Sequence, residues 1–191
     1  LEALLTLEKL TIRSGVMSSI DQVWQLQNLT YLDLGENNID CIPSLLVSEM
    51  TQLRHLALDS NNISTLPVAD TPKALAGLKT VQLQHNTLTD FVWQPPNLEE
   101  LNISFNKFAE VPKQVASFSK LHFLDISNNF ITCLPPQFFV TLPNLTAFYC
   151  NKNMLSSIPS SITNATKLTI LHLNSNLLGP LPPDLFALVA L

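Results

Sequence analysis

Glycine is nearly absent from this sequence: Gly15, Gly35, Gly77 and Gly179 are the only four in 191 residues. A globular α/β fold normally needs more glycine for its tight turns. Basic charge is short as well, with 10 Lys and Arg against 15 Asp and Glu and a net charge of −5. That balance leaves no basic footprint for nucleic acid. No apolar run approaches the ~18 residues of a membrane span, so no membrane insertion is expected. The opening residues, LEALLTLEKL, already read as folded protein, so any leader is expected to precede them. Metalloprotease, serine-hydrolase, dithiol and phosphate-loop signatures (H-E-x-x-H, G-x-S-x-G, C-x-x-C, glycine-rich loops) are all missing. Neither catalysis nor a cofactor is expected from these residues.

What is abundant is leucine, 36 of 191 residues, followed by a high share of proline. The leucines are periodic. LTYLDLGENNI at 29–39 recurs as LRHLALDSNNI at 53–63, LKTVQLQHNTL at 78–88 and LEELNISFNKF at 98–108. It continues as LHFLDISNNFI at 121–131, LTAFYCNKNML at 145–155 and LTILHLNSNLL at 168–178. A degenerate copy, LEKLTIRSGVM, stands first at 7–17. Successive first leucines are 22, 24, 25, 20, 23, 24 and 23 residues apart.

Within each copy, L-x-x-L-x-L alternates as a short strand does. One such strand cannot bury its apolar side, so copies stack with their strands parallel. The remaining dozen residues leave the strand, cross over and return. The pattern L-x-x-L-x-L-x-x-N-x-L resembles the leucine-rich repeat family over essentially the whole chain. That resemblance implies an α/β-type solenoid. Its horseshoe would carry a parallel β-sheet on the concave face and mostly extended or 3₁₀ convex segments with few short helices. The expected domain organisation is one array of about eight repeats over 1–191.

Counting each first leucine as position one, the ninth residue is asparagine in seven repeats: Asn37, Asn61, Asn86, Asn106, Asn129, Asn153 and Asn176. An amide side chain can satisfy both donors and acceptors of a buried turn, so this row is expected to be structural. Six residues later stand Pro43, Pro67, Pro112, Pro135, Pro159 and Pro182. Their fixed φ suits an extended segment that needs no ladder donor. The repeat at Leu78 lacks this proline, and its compressed crossover is expected to be filled by Phe91 and Trp93. In the long crossover before it, Thr71, Pro72 and Gly77 predict one short convex helix. LLGPLPPDL near the end resembles plant-type repeats in that copy alone. No terminal cap is recognisable at Leu4, Leu7 and Leu10 or at Leu185, Leu188 and Leu191, which predicts a longer array and a tendency to associate end to end.

His55, His85, His122 and His172 fall at four different positions of the repeat, so no metal site is expected. Cys41 and Cys133 share one position four repeats apart, about 19 Å at strand spacing, too far for a disulfide. Cys150 takes an inward position and reads as a small buried hydrophobe. Unpaired thiols favour a reducing compartment, so a cytoplasmic location is expected. Glycosylation sequons at Asn28, Asn62, Asn102, Asn144 and Asn164 keep the extracellular alternative open.

Positions three, five and seven are expected to face the concave side. There the sequence places Tyr31, Asp33, His55, Asp59 and Glu100 in the first half, and Phe123, Asp125, Tyr149, Ile170 and His172 in the second. This row predicts a contact face for a protein or peptide, with the carboxylates favouring a basic one. The family resemblance implies a non-enzymatic recognition platform. The L-P-x-x-I/L crossovers are similar to those of intracellular Ras-group leucine-rich repeat proteins, which implies a signalling scaffold. The alternatives are an extracellular receptor or adhesion ectodomain, and the targeting arm of an enzyme.

Overall fold

A computed structural model of the protein describes residues 6–68, 75–180 and 185. Eight strands of three residues each form one parallel sheet in strict chain order. They are β1 (Lys9–Thr11), β2 (Tyr31–Asp33), β3 (His55–Ala57), β4 (Thr80–Gln82), β5 (Glu100–Asn102), β6 (Phe123–Asp125), β7 (Ala147–Tyr149) and β8 (Ile170–His172). Each strand occupies positions three to five of its repeat. Register pairs like with like: Glu100 stands opposite Phe123, and Tyr149 opposite His172. The degenerate first copy supplies a true strand, because Lys9 pairs in register with Tyr31.

Inward positions one, four, six and eleven form one continuous core. Leu121, Leu124, Ile126 and Ile131 are all fully buried, and their equivalents in neighbouring repeats stack on either side. In the compressed crossover Phe91 and Trp93 are also fully buried, in edge contact at 5.9 Å. The Trp93 indole N–H is not stranded there, since it donates to the Pro67 carbonyl at 2.9 Å. A large aromatic is tolerated inside only when that donor finds a partner.

The asparagine row ties each turn to the repeat before it. Asn61 donates to the carbonyls of Leu58 and Asp59 in its own turn and to Leu34 one repeat earlier, while its oxygen accepts from the Ile39 amide. Asn86, Asn106, Asn129 and Asn153 repeat this arrangement. At position eight of each repeat the backbone turns left-handed: Ser14, Glu36, Ser60, His85, Phe105, Asn128, Lys152 and Ser175 have φ between 51° and 57°. Position eight thus adopts this conformation in all eight repeats without a single glycine. Asn128 tolerates it better than most residues.

The crossovers are the expected mixture of extended and 3₁₀ segments with few short helices. Two contain α-helices, α1 (Ser44–Glu49) and α2 (Phe138–Thr141), and others hold 3₁₀ turns at Lys113–Ser117 and Ser160–Asn164. The reason lies in L-P-x-x-I/L. Pro43, Pro112 and Pro159 are the last extended residues, with ψ between 129° and 147°. Their carbonyls, and that of Pro135, then accept from the residue three positions on, Leu46, Val115, Ile162 and Phe138, closing one helical turn. Those four side chains are buried, so a single turn suffices to return an apolar group to the core. The helix predicted from Thr71 and Pro72 lies outside the described residues, and Leu75–Gly77 form a turn. Of the predicted apolar ends, Leu4, Leu188 and Leu191 also fall outside them, whereas Leu7, Leu10 and Leu185 pack partly buried against the core.

Candidate functional site: the concave sheet

The ten concave residues predicted from the sequence divide into two sets. Asp33 and Asp59 are buried, and neither is free. The Arg13 guanidinium, from the degenerate repeat, donates to Asp33 at 2.7 Å, to Asp59 at 2.8 Å and to Glu36 at 3.0 Å. Asp59 and Glu36 together raise the Arg13 pKa against the cost of its partial burial. A bond from the Ser14 hydroxyl, with Arg13 behind it, holds Glu36 below the usual carboxylate range. Gly35 makes the clamp possible through space rather than through a positive φ, because a Cβ there would overlap Arg13 Nη1. Asp33 and Asp59 are therefore engaged within the chain by Arg13.

Position five has a second task. The carboxylates of Asp33 and Asp125 and the amide oxygen of Asn102 each accept the backbone N–H two residues on, from Gly35, Ser127 and Ser104. These are Asx turns that lead the chain off the strand. At position seven Ser104 and Ser127 are buried, whereas Gln84 and Asn151 are part-exposed and Asn174 is exposed.

The remaining aromatic residues form two separate groups. Tyr31 stacks flat on His55 with ring centroids 4.2 Å apart. Burial lowers the His55 pKa, against the opposing fields of Asp33 and Glu100. The imidazole is consequently neutral near pH 7. On β6 to β8, Phe123 lies 5.5 Å from Tyr149, and Tyr149 meets His172 edge-on at 4.7 Å. Ile170 stands in the same row as Phe123, separated from it by the small side chain of Ala147, and is 38% exposed. Between the two aromatic groups lies a shallow recess of about 290 Å³ lined by Thr80, Gln82, Glu100, Asn102 and Phe123. Glu100 accepts a long bond from the Thr80 hydroxyl at 3.4 Å and is approached by His122 at 4.0 Å, with no Lys or Arg partner among the described residues.

The four histidines are distributed as their positions predict: His85 sits outside the concave face, stacked on Phe105 at 4.0 Å. Cys41 and Cys133 are exposed and free, and Cys150 is buried. Sequence reasoning missed the Arg13 clamp. Its signal was present, a glycine at position seven of the second repeat beside an arginine at position seven of the first.

The leucine rich repeat profile matches residues 6–63, 51–108, 96–155 and 119–178. The chain belongs to the leucine-rich repeat family. It is 32% identical to mouse (Mus musculus) keratocan over 125 residues, which is 62% of this chain and 34% of keratocan. A leucine-rich repeat protein of Leptospira interrogans shares its fold with a TM-score of 0.81 at 31% identity, covering 92% of this chain and 45% of that one. The ectodomain of the Arabidopsis thaliana receptor kinase GASSHO1/SCHENGEN3, solved in complex with Casparian strip integrity factor 2, gives a TM-score of 0.77 at 28% identity. That alignment covers 92% of this chain and 22% of the ectodomain. This chain therefore spans only about a third of keratocan and less than half of either neighbour.

Proposed function

We propose that the array is a recognition module that binds a protein or peptide on its concave sheet, without catalysis of its own, and that it serves as a signalling scaffold. The observation that carries this is the half-exposed cluster of Phe123, Tyr149 and His172 on three neighbouring strands, with Ile170 beside it. Rigid aromatic side chains grouped this way are the usual anchors of an interface. Glu100, unpaired by any Lys or Arg, and the half-buried Asp125 flank Phe123 and favour a basic segment of the partner. Asp33 and Asp59 contribute little to that preference, since Arg13 already occupies them. The complex of the Arabidopsis neighbour is consistent with a bound protein or peptide. A photo-reactive phenylalanine analogue at position 149 should cross-link the partner, whereas the same group at position 113 on the convex side should not. Capture through position 113 alone would sink the proposal.

The extracellular reading has its own support. Asn28, Asn62 and Asn164 are exposed sequons, and the Arabidopsis neighbour is an ectodomain. Asn144 is only part-exposed, and its side chain bonds the Ser119 carbonyl and Lys167. Expression through a secretory pathway followed by glycosidase treatment decides it: mass loss confined to these three sites supports an ectodomain, and an unmodified chain supports the scaffold.

A further inference from the structure

The edge where strands run into turns carries side chains that the concave site does not use. Backbone bonds tie position ten of each repeat to its predecessor: the amides of Phe130, Met154 and Leu177 donate to the carbonyls of Phe108, Ile131 and Leu155 at 2.8, 2.9 and 2.9 Å. Position-ten side chains therefore stand one rung apart, about 4.8 Å. Lys107, Phe130, Met154 and Leu177 follow one another along this row. The last three are 48%, 46% and 70% exposed. Beside them at position eight, Phe105 is 43% exposed, and Lys152 stands two repeats further on. A lone exposed apolar side chain is ordinary. Four along one edge of four consecutive repeats are a patch. In the second and third repeats the same positions hold Glu36, Asn38, Ser60 and Asn62.

Charge selects the occupant. Neither Lys107 nor Lys152 has a carboxylate within ion-pair distance among the described residues. Positions eight and ten carry no Asp or Glu from His85 to Leu177. On a chain of net charge −5, this edge is apolar and locally positive. We propose that it is a second docking surface, separate from the concave site, for a short acidic segment of a partner protein. Its apolar side chains cover Phe130 and Met154, and its carboxylates meet Lys107 and Lys152. Three rung steps from Lys107 to Leu177 span about 14 Å, the reach of four or five extended residues. Removing the apolar row from water favours binding, while the two lysines fix the sign and orientation of the segment.

Selection of a random peptide library displayed on phage against the immobilised chain tests this, with binders resynthesised and their affinities measured by fluorescence anisotropy. Enriched peptides should combine Asp or Glu with large apolar residues. The pair Phe130→Ser and Met154→Ser should weaken them at least about tenfold. The pair Lys107→Glu and Lys152→Glu should weaken them and abolish their salt dependence, and Tyr149→Ala should leave them intact. All five side chains are at least partly exposed, so each variant should remain folded, which a circular dichroism melt checks. Peptides indifferent to both edge pairs, or lost only with Tyr149→Ala, overturn the proposal. So does binding to phosphatidylserine vesicles that the lysine reversals abolish without affecting any peptide, which makes the edge a membrane contact. A dimer in sedimentation that Phe130→Ser dissolves assigns the edge to a second copy of the chain and equally overturns it.

Discussion

Asn129 shows how much one side chain carries in a stacked repeat. Its amide donates to Ile103, Ile126 and Ser127 at 3.1, 3.0 and 3.1 Å and accepts from Phe108 at 3.1 Å, all inside the molecule. Asn129→Ala strands these groups and should lower stability by roughly 1–3 kcal/mol in urea denaturation. Its neighbour Asn128 serves the backbone instead, at φ 53°. Asn128→Ala should cost less than Asn129→Ala, and Asn128→Gly should be neutral or slightly stabilising. Equal losses for Asn129→Ala and Asn128→Gly would contradict this division of labour. Cys150 gives a chemical test of burial. Desolvation, with the field of Asp125 adding to it, pushes its thiol up to about 12, while a bond from Asn153 opposes the rise. Iodoacetamide at pH 8 should alkylate Cys41 and Cys133 on the folded chain and all three cysteines after unfolding, read by mass spectrometry. Because the folded thiol keeps its proton where the unfolded one loses it, Cys150 should subtract stability as pH rises above the ordinary thiol value. Three rapid native alkylations would contradict the buried placement.

At the scale of elements, the Arg13 clamp joins three repeats through one guanidinium. Arg13→Ala leaves Asp33 and Asp59 buried without a counter-charge. With Arg13 itself partly exposed, the loss should be about 1–3 kcal/mol in urea denaturation at pH 7. An unchanged denaturation midpoint would mean that solvent replaces the guanidinium. Gly35→Ala should reproduce part of the loss by displacing Arg13. This element was hard to read in the sequence because it depends on side-chain reach across repeats, whereas a repeat pattern reports only inward and outward. The pattern did place every strand and the whole asparagine row, because both follow directly from stacking. It also placed Phe91 and Trp93, since a shortened crossover must be refilled. The pattern gave few short helices but not the place of those found, because Leu46 and Phe138 return to the core by a helical turn that no long amphipathic run announces. Position eight was invisible for a related reason: a left-handed residue is usually signalled by glycine, and here Ser, Glu, His, Phe, Asn and Lys all adopt it under the constraint of the ladder.

At the scale of the whole molecule, the concave sheet is graded along its length. Its first half is closed on itself by Arg13 and the Tyr31–His55 stack, its middle holds the recess beside Glu100, and β6 to β8 present the aromatic group. Partner contact should therefore concentrate in the last three strands. The affinity of a captured partner for chains carrying Tyr149→Ala, Phe123→Ala or the convex-side Lys113→Ala, measured by titration calorimetry beside a thermal melt of each variant, tests this most directly. The account predicts at least a tenfold loss, about 1.4 kcal/mol or more, for each concave change, with the fold intact and Lys113→Ala binding as the parent does. A larger loss from Lys113→Ala than from Tyr149→Ala would contradict it.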